Sequence, residues 1–140
     1  MTITTSYLIL GSCSSLILAA LHLILVFKPQ GWVYFGAGDL TKLAEQDAKW
    51  VIPVTAVLAL LFAVWGLYGL AGAEVISPLP FLTVVLQIIG IIYLLRGLML
   101  PSDLIKTVMK RYPVRFAFFS SVSLVTGLFY LVGTGSLPIP

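Results

Sequence analysis

The chain has 140 residues, of which 60% are hydrophobic and 9% charged, and its mean hydropathy is +1.11. A soluble domain carries about 25% charged residues, so this composition excludes a water-facing globule and makes lipid the solvent of a single membrane domain, residues 1–140. The net charge of +3 is too small and too evenly spread to suggest nucleic acid as a partner, and the single cysteine, Cys13, excludes an internal disulfide or a cysteine metal cluster.

The first apolar run, Ser6–Phe27, is long enough to span a bilayer. No Lys or Arg precedes it, so it reads as a retained helix and not as a signal peptide. Cys13 within it reads as a small buried hydrophobe. Gly11, Ser15 and Ala19 recur every four residues and form a small-residue stripe for close helix packing. His22, the only histidine, extends that stripe and is expected to face protein. It lies about 8 Å from the near end of the span. Three roles stay open: a neutral ring bonded to a carbonyl or serine, a ligand or proton site, or a metal ligand. A lone histidine supplies no zinc site.

The first connection, Lys28–Trp50, carries Gly31, Gly36 and Gly38, which make its first half pliable. Asp39 is placed to cap a short helix through Ala48, with Leu40, Leu43 and Ala44 on one face. That pattern predicts an interfacial helix between spans one and two. Asp39 and Glu45 read as a solvated loop face, or else as carboxylates near a site at His22. Their spacing has no metal signature.

The second span is predicted over Val51–Ala73 and the third over Leu79–Leu100. In the third, Thr83, Gln87, Gly90 and Gly97 share a face, and Gln87, near mid-depth, is expected to bond another helix. Arg96 projects about half a turn away from Gln87 and close to the span's end. It reads as a snorkelling anchor. The alternative is a cationic pocket with Arg115 and His22 for a lipid phosphate. The connection PSDLIKTVMKRYP offers Ser102 or Asp103 as a helix cap. In the fourth span, Tyr112–Gly133, the residues Ser120, Ser123 and Gly127 form a further small face. The fold class expected is therefore all-α, a four-transmembrane-helix bundle.

Pro53, Pro78, Pro80, Pro101 and Pro113 sit at or near span ends, as do Trp32, Tyr34, Trp50, Tyr68, Tyr112 and Tyr130. Those are the places for missing N–H groups and for interfacial aromatic belts. All eight Lys and Arg lie in or beside the first and third connections. By the positive-inside rule, those connections face the cytoplasm and both termini face out. Two further matches, GDLTK with SDLIK and WGLYGLAG with TGLFYLVG, read either as a parallel duplication or as the shared vocabulary of membrane helices.

A single histidine in the first span, then YFGAGD, WVIP, WGLYGLAGA and an LP pair before the third span, resembles a group of small, uncharacterised bacterial inner-membrane proteins. The likeness runs through the third span. It implies a bacterial four-helix inner-membrane protein and no particular chemistry, and it directs attention to His22, Gly36, Gly38 and Asp39. The sequence contains no HExxH, GxSxG or P-loop. No acidic residue falls within the predicted spans, which argues against coupling through an intramembrane carboxylate. The expectation is a structural or accessory membrane component, without catalysis or cofactor, in a homo-oligomer or a larger complex. The alternatives are an oligomeric small-solute or ion transporter using His22, and an inner-leaflet lipid-binding protein or membrane enzyme.

Overall fold

The computed structural model describes residues 2–28, 31–32, 38–110 and 113–137, with only the backbone over 38–48. Five helices follow in order: α1 (Ile3–Phe27), α2 (Gly38–Gly72), α3 (Leu82–Gly97), α4 (Leu100–Val108) and α5 (Val114–Gly133). Four stretches are long and apolar enough to cross a membrane: Ile3–Phe27, Lys49–Gly72, Leu82–Val108 and Val114–Gly133. The chain is thus an all-helical, multi-pass membrane bundle.

α1 packs mainly on α2, and α3 mainly on α5. The two hairpins close into a ring through α1 with α5 and α2 with α3. One end of the bundle carries the chain termini and the α2–α3 connection, and is called here the terminal end. The other carries the lysines and arginines and is called the basic end.

Several boundaries differ from the sequence expectation for identifiable reasons. α1 starts at Ile3 because Thr2 caps it, its hydroxyl accepting from the Thr5 N–H at 3.2 Å. α3 starts at Leu82 because Phe81 stands in the left-handed region, φ 54°, just after Pro80. The segment from Asp39 to Ala48 is helical, as expected, but it runs unbroken into the second span as one 35-residue helix. Pro53 therefore lies inside α2, although still near the start of the spanning stretch Lys49–Gly72. The third span also runs on past Leu100: it kinks at Leu98–Met99, where Pro101 cannot donate to the helical ladder, and resumes as α4.

Glycines set the closest helix approaches. A Cβ at Gly97 would stand 2.6 Å from the Leu124 Cα, and one at Gly127 would stand 2.8 Å from the Gly90 carbonyl oxygen. The small faces of α3 and α5 therefore meet one another, backbone to backbone. Cys13 is exposed and faces away from the bundle, which overturns its reading as a buried hydrophobe. Ser12 takes the inward position beside it, donating to the Gly66 carbonyl at 2.6 Å.

Candidate functional site

The core is built around a chain of hydroxyls. Ser15 Oγ lies 3.0 Å from the Tyr93 hydroxyl and 2.9 Å from the Tyr130 hydroxyl. Tyr130 in turn donates to the Trp65 carbonyl at 3.1 Å. A carbonyl only accepts, so the direction of the chain is determined. Tyr93 donates to Ser15, Ser15 donates to Tyr130, and Tyr130 donates to Trp65. Ser15 is on α1, Trp65 on α2, Tyr93 on α3 and Tyr130 on α5, so one relay of hydrogen bonds visits all four spans.

The rings fill the section at that level. Tyr93 and Tyr130 lie parallel with centroids 6.1 Å apart, and Trp65 stands edge-on to Tyr93 at 5.2 Å. Tyr130 is fully buried, which overturns its assignment to an interfacial belt. Side chains lean toward a helix's N-terminus, so Tyr130 reaches back from the end of α5 into the bundle. Gly11 and Gly69 leave room for it: a Cβ at either would sit 3.2 Å from the tyrosine.

Of the α1 stripe, Gly11 and Ser15 are buried, while Ala19 and His22 are partly buried. His22 Nδ1 lies 2.8 Å from the carbonyl of Leu18, one turn back on its own helix. That bond places the proton on Nδ1 and leaves Nε2 as the acceptor of the neutral ring. The ring sits against Phe62 at 4.9 Å and edge-on to Trp32 at 5.5 Å. Trp32 is itself buried, its Nε1 donating to Thr55 Oγ1 at 3.1 Å, so it is not an interfacial anchor.

A second polar cluster lies at the basic end. Arg96 donates through Nη1 to Ser120 Oγ at 2.8 Å, and Ser120 Oγ donates to Asp103 Oδ2 at 2.5 Å. Ser120 is fully buried and Asp103 only 5% exposed. Arg96 is therefore engaged on α5 and is not a free anchor. The long side chain carries its guanidinium round to a neighbour that its position on the α3 wheel does not face. Asp103 is not a helix cap: Met99 holds the N-cap position of α4, with no side-chain cap bond. The expectation that no acid lies within a span also fails, because Asp103 belongs to the extended third stretch, Leu82–Val108.

Of the residues expected in a cationic pocket, Arg96 and His22 have other partners. Arg96 turns to Ser120 and Asp103, and His22 to Trp32 and Phe62. Arg115 is partly buried, with its guanidinium 5.4 Å over the Phe116 ring. Gln87 lies toward the terminal end and not at mid-depth, donating to Ser136 Oγ at 2.9 Å just beyond α5. Ser123 bonds its own helix at the Phe119 carbonyl, 3.0 Å away. Gly38 opens α2, whereas Gly36 and the side chains of Asp39 and Glu45 lie outside the described residues. Among the described residues, no group of three His, Cys, Asp or Glu side chains is placed to hold a metal ion.

Sequence reasoning missed Tyr93, Trp65, Ser12 and Asp103. The signal for the first three was weak: a hydroxyl or an indole in an apolar run carries no mark of which neighbour it meets. For Asp103 the signal was obscured by Pro101, which looks like a span end. In comparisons with protein families, curated proteins and solved structures, nothing matches this chain.

Proposed function

We propose that this chain is a small integral membrane component that works through its surface, as an accessory or structural subunit beside a larger protein, and not through chemistry of its own. One observation carries this reading. The hydroxyl relay and its rings fill the middle of the bundle, where Tyr93 and Tyr130 are both buried. What such a bundle offers is its apolar flanks and its basic end.

The small-residue stripes support this reading less than their sequence suggests, because Gly11, Ser15, Gly90, Gly97 and Gly127 pack within the bundle. Association would then use the lipid-facing flanks. The likeness to small bacterial inner-membrane proteins is part of the same proposal, with the basic end in the cytoplasm as charge asymmetry directs.

A second reading, ion or small-solute transport by an oligomer, is favoured by the buried Asp103. Ionisable groups at membrane depth are retained for function by default. Native mass spectrometry after gentle extraction from the host membrane separates the two. A reproducible complex with a larger protein supports the accessory reading. A homo-oligomer whose liposomes show pH-dependent flux, lost in His22→Ala, overturns it in favour of transport.

A further inference from the structure

Of the five helices, α4 is the one least rooted in the bundle. Its only buried residue is Asp103. Leu104, Ile105, Val108 and Met109 are all exposed, Val108 at 81%. At 100° per residue these four fall on one side of the helix, and Asp103, Lys106 and Thr107 fall on the other. This reverses the polarity of a helix lying on a soluble core: the acid faces the bundle and the apolar face is turned out. Lipid is the solvent that suits the outer face. The grip on α5 is a hydrogen-bonded charge in place of apolar packing, which is the mark of a locally weak element.

The helical ladder is interrupted at both ends of α4. Leu98 and Met99 have ψ of −11° and −12°. The Met99 N–H closes three residues back on Arg96, and Pro101 has no N–H to give. At the far end Lys110 sits in the left-handed region, φ 55°. The element between these breaks is tied to α5 by the bond from Ser120 to Asp103, and the same Ser120 accepts from Arg96.

Asp103 is the only acid on α3, α4 or α5. The charged groups on the elements around it are all cations: Arg96 on α3, Arg115 on α5, and Lys106 on α4 itself with Lys110 just beyond it. Removing the carboxylate's charge leaves Ser120 a neutral acceptor in place of a charged one, and a hydrogen bond to a charged group is the stronger.

We propose that α4 is a strap, hinged at Leu98–Met99 and latched to α5 by the Asp103 carboxylate through Ser120. When latched, it covers Ser120. When released, it opens the polar junction of Ser120 and Arg96 to the basic end, while its apolar face stays in lipid. This inference stands apart from the accessory-subunit reading and holds equally for a transporter.

The test uses the full chain in lipid nanodiscs with Cys13→Ser, and a nitroxide at Val108→Cys on α4 or, as reference, at Val125→Cys on α5, an exposed site outside the strap. In the parent the Val108 label is ordered. Asp103→Asn raises its mobile fraction about fivefold to tenfold, as expected when a hydrogen bond to a charged acceptor becomes one to a neutral amide, and leaves the Val125 label unchanged. Ser120→Ala acts in the same direction, and decides the matter if Asp103→Asn does not fold. An unchanged Val108 label in the folded variants overturns the latch. Equal loosening at Val108 and Val125 also overturns it, because the relay would then be part of the general scaffold.

Discussion

Tyr130 has one proton to give, and it gives it to the Trp65 carbonyl while accepting from Ser15. Tyr130→Phe keeps the ring and deletes both bonds, leaving Ser15 without its acceptor. The expected loss is about 1–2 kcal/mol, from two interhelical bonds in a membrane, read by steric trapping in bicelles. His22 is a different case. Its hydrogen bond runs to the Leu18 carbonyl on its own helix, so the loss of that bond unfastens no neighbouring span. His22→Leu is expected to lower stability by only about 0.6 kcal/mol in the same measurement. A loss as large as that of Tyr130→Phe would make its contacts with Phe62 and Trp32 the stronger part of its role. From the sequence, the histidine stands out and the tyrosine does not; in the packed bundle, the tyrosine carries more of the architecture.

At the scale of elements, α3 and α5 are held together by what they lack. Gly97 faces Leu124 so closely that an added Cβ would meet backbone atoms, at 2.6 Å from Cα and 2.8 Å from N. Backbone cannot swing aside as a side chain can, so Gly97→Ala must push the two helices apart at the basic end. Its expected cost is about 1–3 kcal/mol, the range for overpacking. Gly135→Ala is the matched control: the position has φ +71° with open space around it. Only the left-handed backbone is penalised there, by about 1–2 kcal/mol. Thermal unfolding in one detergent compares the two. A disturbed Arg96–Ser120 contact, seen as altered chemical shifts at Ser120, is expected only for Gly97→Ala. The small faces on α3 and α5 were legible in the sequence through Gly90, Gly97, Ser120 and Gly127. That they meet each other, and not a second copy, was not.

At the scale of the whole molecule, the relay from Tyr93 to Trp65 makes four spans one unit. Ser15 serves both tyrosines, so Tyr93→Phe and Tyr130→Phe are expected to be non-additive, with a coupling of about 0.5 kcal/mol or more in a double-mutant cycle. Strict additivity would mean that the two hairpins are held by packing alone. By itself the sequence determined the solvent, the number of spans and the charge asymmetry between the two ends. Those depend on run length and on where Lys and Arg fall, and both are properties of the linear chain. It also marked the small residues at which helices approach. Only the tertiary structure decided that Tyr130 turns inward, that Cys13 turns outward, and that Asp103 is buried within a kinked third span. In a membrane nearly every residue of a span is apolar, so periodicity separates the lipid face from the protein face poorly. The partner of a hydroxyl, a carboxylate or a guanidinium is then chosen by which helices lie side by side, and that is a fact of packing.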